Sequence, residues 1–334
     1  MNAALTVLLC GQWPATEAAR WRQALQRALP EVRWCEPADL QDQPGLASEV
    51  SIAVVANPPA GALTGLPNLR FIQSLWAGVE RLLADPTVPP RLPVARMVDP
   101  AMNTAMAETA AWAVLSLHRR FFDYRRQQDR AEWRSWPQRR ADEVPVLVLG
   151  RGQMGTTVAR TLAGLGYPVT AWGREDRRGA LASGPAPTAD GAEALPVHVI
   201  AGPQALQAAL PAHEVVVNLL PLTPQTAGLI DADFLAALPP GAALVNLARG
   251  AHVVEHALRD ALDRGHLRHA VLDVFAVEPL PTDSPWWRHP GVTVLPHAAA
   301  ATDPRSASAV VAGNVRALME GRPLAHLVDR QRGY

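Results

Sequence analysis

Short apolar runs alternate with amphipathic stretches along most of the chain. In the first hundred residues, the Val-, Ile- and Leu-rich runs 5–10, 52–56, 71–74 and 94–98 predict strands, and ATEAARWRQALQRAL between the first two has the spacing of a surface helix. Together they predict a small α/β domain. Residues 103–132, NTAMAETAAWAVLSLHRRFFDYRRQQDRAE, contain no Gly or Pro and predict one long interdomain helix. A polar linker, WRSWPQRRADEVP, follows. Strands are then predicted at 146–149, 169–172, 215–219, 243–247, 271–275 and 292–295, with helices at 156–165, 203–210, 231–238 and 254–264. That alternation predicts a parallel, doubly wound sheet, because parallel neighbours need crossover connections. The tail from residue 303 is again helical and is predicted to return to the first domain, which would make that domain discontinuous.

Composition narrows the chemistry. The 334 residues are 49% hydrophobic and 19% charged, enough apolar material for about two domains. No Lys occurs: all 31 cations are Arg, against 31 acids. Imine-forming enzymes, P-loop nucleotide hydrolases and protein kinases each need a Lys and are excluded. A formal net charge of zero gives no overall attraction to nucleic acid or to a membrane surface. No run reaches the roughly 18 apolar residues of a membrane span, and MNAALTVLLCGQW lacks a cationic leader start, so a cytoplasmic protein is expected. Cys10 and Cys35 lack C-x-x-C spacing and read as buried reduced thiols.

Gly150, Gly152 and Gly155 form a G-x-G-x-x-G between a predicted strand and a predicted helix, the context in which backbone amides receive a pyrophosphate. At the end of the next strand, where an acid would hold the ribose of NAD, the chain reads Ala171-Trp172-Gly173-Arg174. Gly173 and Arg174, with Arg177 and Arg178 nearby, suit the 2′-phosphate of NADP. Two other readings remain open there: a solvated arginine cluster, and Glu175 reaching the ribose. Arg249, Glu278 and His297 follow successive strands of the second half. Near a nicotinamide, Arg would polarise a 2-oxo acid, His would protonate the nascent alkoxide, and Glu would orient the imidazole and favour its cationic form. Singly, each also reads as a strand-end cap, a turn acid or a core histidine. His252, Glu255 and His256 match H-x-x-E-H, but His252 falls ahead of the predicted helix and no metal is expected. The Arg- and aromatic-rich stretch 118–140 is broken by Asp123, Asp129 and Glu132 and reads as a solvated helix face, not a nucleic-acid surface.

The strings QSLWAGVE (73–80), MAETAAWAVLSLHRR (106–120), VLVLGRGQMG (146–155), VVVNLLPLTPQTAGLI (215–230), ALVNLARGAHVVEHAL (243–258), AVLDVFAVEPLP (270–281) and SPWWRHPGVTVLPHAAAAT (284–302) resemble, in order and spacing, the D-isomer-specific 2-hydroxyacid dehydrogenases. DPAMNTAMAE, RRFFDYRRQQ and NLARGAHVVE resemble in particular its glyoxylate/hydroxypyruvate reductase A branch. The resemblance implies two Rossmann-like domains: a dinucleotide-binding domain, 103–298, inserted into a substrate domain of 1–102 and 299–334. It also implies Arg249 as substrate ligand, Glu278 and His297 as acid–base pair, and substrate contacts at Trp76, Ala77 and Gly78. Cofactor contacts are implied at Gln153, Met154, Leu220, Pro221, Thr226, Leu247, Ala248, Arg249 and Asp273, the last near the nicotinamide carboxamide. The implied reaction is reduction of glyoxylate or hydroxypyruvate, in a homodimer packed through the cofactor domains; Gly173-Arg174 and the missing acid point to NADPH in preference to NADH. Trp76, Ala56-Asn57 and Trp286 depart from the family pattern and touch the expected pocket. A dehydrogenase of a larger 2-hydroxy acid and a non-catalytic NAD(H)-sensing protein on the same fold are the rival readings.

Overall fold

The computed structural model describes residues 5–175 and 196–333. Two units are present, Met1–Met102 with Thr302–Tyr334, and Asn103–Ala301. In the first, strands β1 (Thr6–Gly11), β2 (Arg33–Cys35), β3 (Val50–Ala56), β4 (Phe71–Ser74) and β5 (Val94–Ala95) form a parallel sheet in the order β2-β1-β3-β4-β5. The C-terminal helix Pro304–Met319 belongs to this unit. Asp303 caps it by accepting the Arg305 amide at 2.9 Å, and Pro304 occupies the first turn, where its missing N–H costs nothing. Arg316 then donates to the Ala28 carbonyl (2.7 Å), and buried Asn314 donates to Gln73 on β4 (2.7 Å).

The second unit holds a seven-stranded sheet: β6 (Val146–Leu149), β7 (Val169–Gly173), β8 (His198–Ala201), β9 (Val215–Asn218), β10 (Ala242–Asn246), β11 (Leu267–Leu272) and β12 (Val292–Val294). Its order is β12-β11-β10-β9-β6-β7-β8, all parallel. Central strands covered on both faces must be apolar throughout. VLVL of β6 and AALVN of β10 are accordingly buried along their whole length. The chain reverses direction across the sheet between β6 and β9. At that switch point the loops at the carboxyl ends diverge and leave a crevice.

The expected 103–132 helix is two helices, Pro100–His118 and Phe121–Asp129. Arg120 breaks it in left-handed backbone, φ 63°. The break turns Phe122 onto the sheet, where its ring stacks on His269 (centroids 4.4 Å, 10° between planes) and meets the edge of Trp112 (5.8 Å). Tertiary packing thus overrides local helix preference. Strands β2 and β8 are absent from the sequence expectation. Both are short and open on an exposed polar residue, Arg33 of RWC and His198 of HVIA, so neither carries an unbroken apolar run. The β5 strand is two residues, not the expected five, and β11 ends at Leu272, so Asp273 and Phe275 belong to a loop. Among the described residues, no helix is long and apolar enough to cross a membrane.

His269 on β11 is buried, and burial lowers its pKa from 6.5 to about 4, helped by repulsion from Arg126. A histidine kept neutral by the fold favours the folded state above pH 6.5, and that advantage disappears as pH falls from 6.5 toward 4. The slope for one proton is ~1.4 kcal/mol per pH unit. The stability of the chain in urea is therefore expected to fall between pH 7 and pH 5. His269→Phe, which keeps the ring stack and cannot titrate, should lose less over the same interval; equal losses in the two proteins would contradict the assignment.

Candidate active site

The glycine loop leaves β6 at Gly150, whose φ of 116° suits glycine. A Cβ there would also lie 2.8 Å from the Leu219 carbonyl oxygen at the end of β9. At Gly155 a Cβ would come within 2.0 Å of the Gly150 carbonyl, so only glycine lets the helix Gln153–Gly164 start against its own strand. Gly152 differs: its φ is ordinary, and a Cβ there would meet nothing within 4 Å. Its bareness serves no packing need of the protein and leaves open space over the helix start. No side chain caps that start, so first-turn amides at Gln153 and Met154 remain for an anion. The cradle fits a dinucleotide pyrophosphate.

At the end of β7, a Cβ on Gly173 would lie 2.9 Å from Cδ of Arg151, so the stem of Arg151 covers this glycine. Arg174 is half-buried and donates to Gln225 in the loop after β9 (3.1 Å). The stem of Arg151 and the guanidinium of Arg174 therefore lie at this strand end. Sequence reasoning missed Arg151, although it lies inside the glycine motif. Glu175 is exposed; Arg177 and Arg178 lie outside the described residues.

The loops after β9 and β10 carry the next expected residues. Leu220, Leu247 and Ala248 are buried. Thr226 donates to the Pro221 carbonyl (2.7 Å) and accepts the Thr223 amide (2.8 Å), so its hydroxyl closes this loop. Arg249 is half-buried, and its Nη1 donates to the Ala248 carbonyl (2.6 Å). Gly250, which sequence reasoning passed over, is where the β10 loop meets the β11 loop: a Cβ would lie 2.0 Å from the Phe275 carbonyl carbon. Any larger residue would push Arg249 away from the β11 loop.

Glu278 and His297 come together directly. Glu278 Oε2 and His297 Nδ1 are 2.7 Å apart, and Glu278 Oε1 accepts the Phe275 amide (2.9 Å). A carboxylate can only accept, so Nδ1 carries the hydrogen and Nε2 is the ring nitrogen not committed to Glu278. The His297 side chain is 51% exposed and can meet a ligand. Its backbone is left-handed, φ 53°. Asp273 holds it there. The His297 amide donates to the Asp273 carbonyl (2.8 Å), while the Asp273 carboxylate accepts Ala298 N (2.7 Å) and Ala299 N (3.0 Å). The carboxylate of Asp273 is 1% exposed as a residue and serves as the clasp of the His297 loop.

Trp76, Ala77 and Gly78 follow β4 in the other unit. Trp76 is half-exposed and packs edge-on to Trp21 (6.3 Å), its carbonyl accepting Met97 N (3.0 Å). Among the described residues, no hydrogen bond uses the amide of Ala77 or Gly78. Trp286, expected near the pocket, is instead buried in the core of the second unit; Trp287 is exposed and donates to Pro281 O (2.8 Å). His252 lies in a short turn, Gly250–His252, ahead of the helix Glu255–Asp263, so the H-x-x-E-H residues do not share a helix face.

Residues 111–299 match the family model described as the D-isomer specific 2-hydroxyacid dehydrogenase, NAD binding domain. Glyoxylate/hydroxypyruvate reductase A of Serratia proteamaculans (strain 568) is 37% identical over 328 residues, covering 96% of this chain and 98% of that protein. The D-isomer specific 2-hydroxyacid dehydrogenase of Xanthobacter autotrophicus Py2, solved with NADPH and MES, superposes with a TM-score of 0.87 at 35% identity, over 99% of this chain and 100% of its own. The NADPH-dependent glyoxylate/hydroxypyruvate reductase of Sinorhizobium meliloti, solved with NADP and sulfate, does so at 0.87 and 31%, over 98% and 99% of the two chains. With a dinucleotide cradle, a His–Glu pair and relatives matched along nearly their whole length, this chain belongs to the D-isomer specific 2-hydroxyacid dehydrogenase family, as an NAD(P)-dependent oxidoreductase.

Proposed function

We propose that this protein reduces small 2-oxo acids, glyoxylate and hydroxypyruvate, to the 2-hydroxy acids at the expense of NADPH. The observation that carries this reading is the His297–Glu278 pair at 2.7 Å, with Nε2 left for substrate. Gly150, Gly152, Gln153, Met154 and Gly155 would hold the pyrophosphate. Gly173 and Arg174 would hold the 2′-phosphate, where an acid would repel it. Leu220, Pro221, Thr226, Leu247 and Ala248 would line the cofactor, and Asp273 would reach the carboxamide while still clasping its loop. When bound, the reduced nicotinamide supplies the hydride for carbon 2 of the acid. Arg249 draws electron density toward the substrate oxygen, the Ala77 and Gly78 amides hold the carboxylate, and His297 Nε2 delivers the proton to the oxygen. Glu278 keeps the imidazole oriented and balances its positive charge. Residues 1–102 and 299–334 would form the substrate domain and 103–298 the cofactor domain. The exposed rings of Trp112, Phe121 and Trp133 support a homodimer formed through the cofactor domain. A cytoplasmic location completes the reading.

Three outcomes test it. His297→Asn is expected to lower kcat for reduction by about 100-fold or more while leaving NADPH affinity unchanged, the usual size of a lost general acid. A variant with near-normal kcat removes His297 from the mechanism.

NADPH should be preferred to NADH in kcat/KM by at least about tenfold, or ~1.4 kcal/mol, and Arg174→Ala should erase most of the preference. Equal use of both cofactors by the unmodified enzyme would give the ribose to Glu175 instead.

Glyoxylate and hydroxypyruvate should be reduced with higher kcat/KM than phenylpyruvate or 2-oxoisocaproate, because the bulky, part-exposed Trp76 directly precedes Ala77 and Gly78 in the chain. Trp76→Gly should narrow the difference, each methylene accommodated being worth about 1–3 kcal/mol. A higher kcat/KM for phenylpyruvate would favour the larger-acid reading, and no turnover with any 2-oxo acid would favour the NAD(H) sensor.

A further inference from the structure

His252 has no part in the reaction as proposed, yet its side chain is fully buried where the loops after β9 and β10 meet. Asn218, at the end of β9, and Asn246, at the end of β10, are equally buried. Backbone amides fix the orientation of both Asn side chains. Leu220 N donates to Asn218 Oδ1 (3.2 Å) and Ala248 N donates to Asn246 Oδ1 (3.3 Å), so in each residue the other atom is the NH2 group. Asn246 Nδ2 donates to the Arg249 carbonyl (3.0 Å). The two hydrogens on Asn218 Nδ2 go to Asn246 Oδ1 (2.9 Å) and His252 Nδ1 (3.0 Å). His252 Nδ1 is therefore an acceptor. A neutral ring then carries its hydrogen on Nε2, which donates to the Pro221 carbonyl (3.3 Å). The His252 main chain is held as well, its carbonyl accepting Ile230 N (2.9 Å).

We propose that Asn218, Asn246 and a neutral, Nε2-protonated His252 are positioning residues that set the main chain of Arg249 against the Leu220–Pro221 loop. The inference rests on the reading of Arg249 as the residue that binds the 2-oxo acid. In a buried network an unanswered donor is costly, and the cheapest relief is movement of a loop. If Asn218 lost its acceptor at His252, it would pull on Asn246, whose side chain is tied to the Arg249 carbonyl and the Ala248 amide. Substrate affinity should suffer before chemistry does.

Two substitutions separate the ring nitrogens. In His252→Asn the side-chain oxygen takes the place of Nδ1 and keeps an acceptor for Asn218; in His252→Gln the amide reaches the place of Nε2 and leaves Asn218 unanswered. Expected is a KM for glyoxylate within about twofold of the unmodified enzyme for His252→Asn and raised about fivefold or more for His252→Gln, with kcat less affected. NADPH affinity, read from protein fluorescence, and the thermal midpoint should be close in the two variants. The same KM in both, whether normal or raised, overturns the proposal. Should His252→Gln fail to fold, Asn246→Ser, which removes the donor to the Arg249 carbonyl, is expected to raise KM in the same way, and a normal KM there also overturns it. Arg249→Gln separates the two levels of inference. Full kcat/KM in that variant overturns the reading of Arg249 and the positioning role with it, whereas a damaged Arg249→Gln beside unaffected His252 variants overturns the positioning role alone.

Discussion

The Asp273 clasp is the interaction on which the placement of the His297–Glu278 pair depends. Left-handed backbone at a residue other than glycine costs about 1–2 kcal/mol, and His297 would relax out of it if its loop were free. Two hydrogen bonds from Ala298 and Ala299 to a buried carboxylate, and one from His297 to the Asp273 carbonyl, offset that cost. With the backbone fixed, the imidazole meets Glu278, and Glu278 is itself fixed by the Phe275 amide. The same segment presses against Gly250, so the Arg249 loop takes its position from it too. Strain at His297 and closeness at Gly250 are two expressions of one packed edge.

A parallel sheet places every functional loop at the carboxyl ends of its strands, and loops there must satisfy their own polar groups. This protein does so by lacing neighbours together: the Asp273 amide donates to Asn246, Leu247 to Asn218, and Leu219 to Leu149. Glycines mark the places where backbones come closest, at Gly150 against Leu219 and at Gly250 against Phe275. Gly152 is the contrast, since nothing in the chain crowds it. The difference between a glycine needed for packing and one left bare for a ligand is visible only once the neighbours are in place.

The end of β7 shows a similar economy of position. The strand end at Gly173 lacks the acid that would accept ribose hydroxyls, and two arginines reach it from different directions in the chain. Arg151 arrives because the glycine loop folds back along β7, with its stem over Gly173. Arg174 is steadied by Gln225, 51 residues further on.

The sequence alone determined the parallel sheet of the second unit, because covered strands read as apolar runs alternating with helices, and its motifs, by their resemblance to a known family, singled out Arg249, Glu278 and His297 as expected site residues. It could not mark the break at Arg120, since nothing in thirty residues without Gly or Pro disfavours a helix; in the fold the break lets Phe122 stack on His269 and Arg120 lie over the Trp136 ring. Strands β2 and β8 escaped because each is short and opens on an exposed polar residue, Arg33 and His198. Trp286 looked like a pocket wall and proved to be core, as residue type does not report which way a ring faces. Asp273, Gly250, Arg151 and the Asn218–Asn246–His252 network depend on partners far away in the chain. Local pattern records what one element needs from solvent, whereas these residues answer needs that exist only when separate loops are packed together.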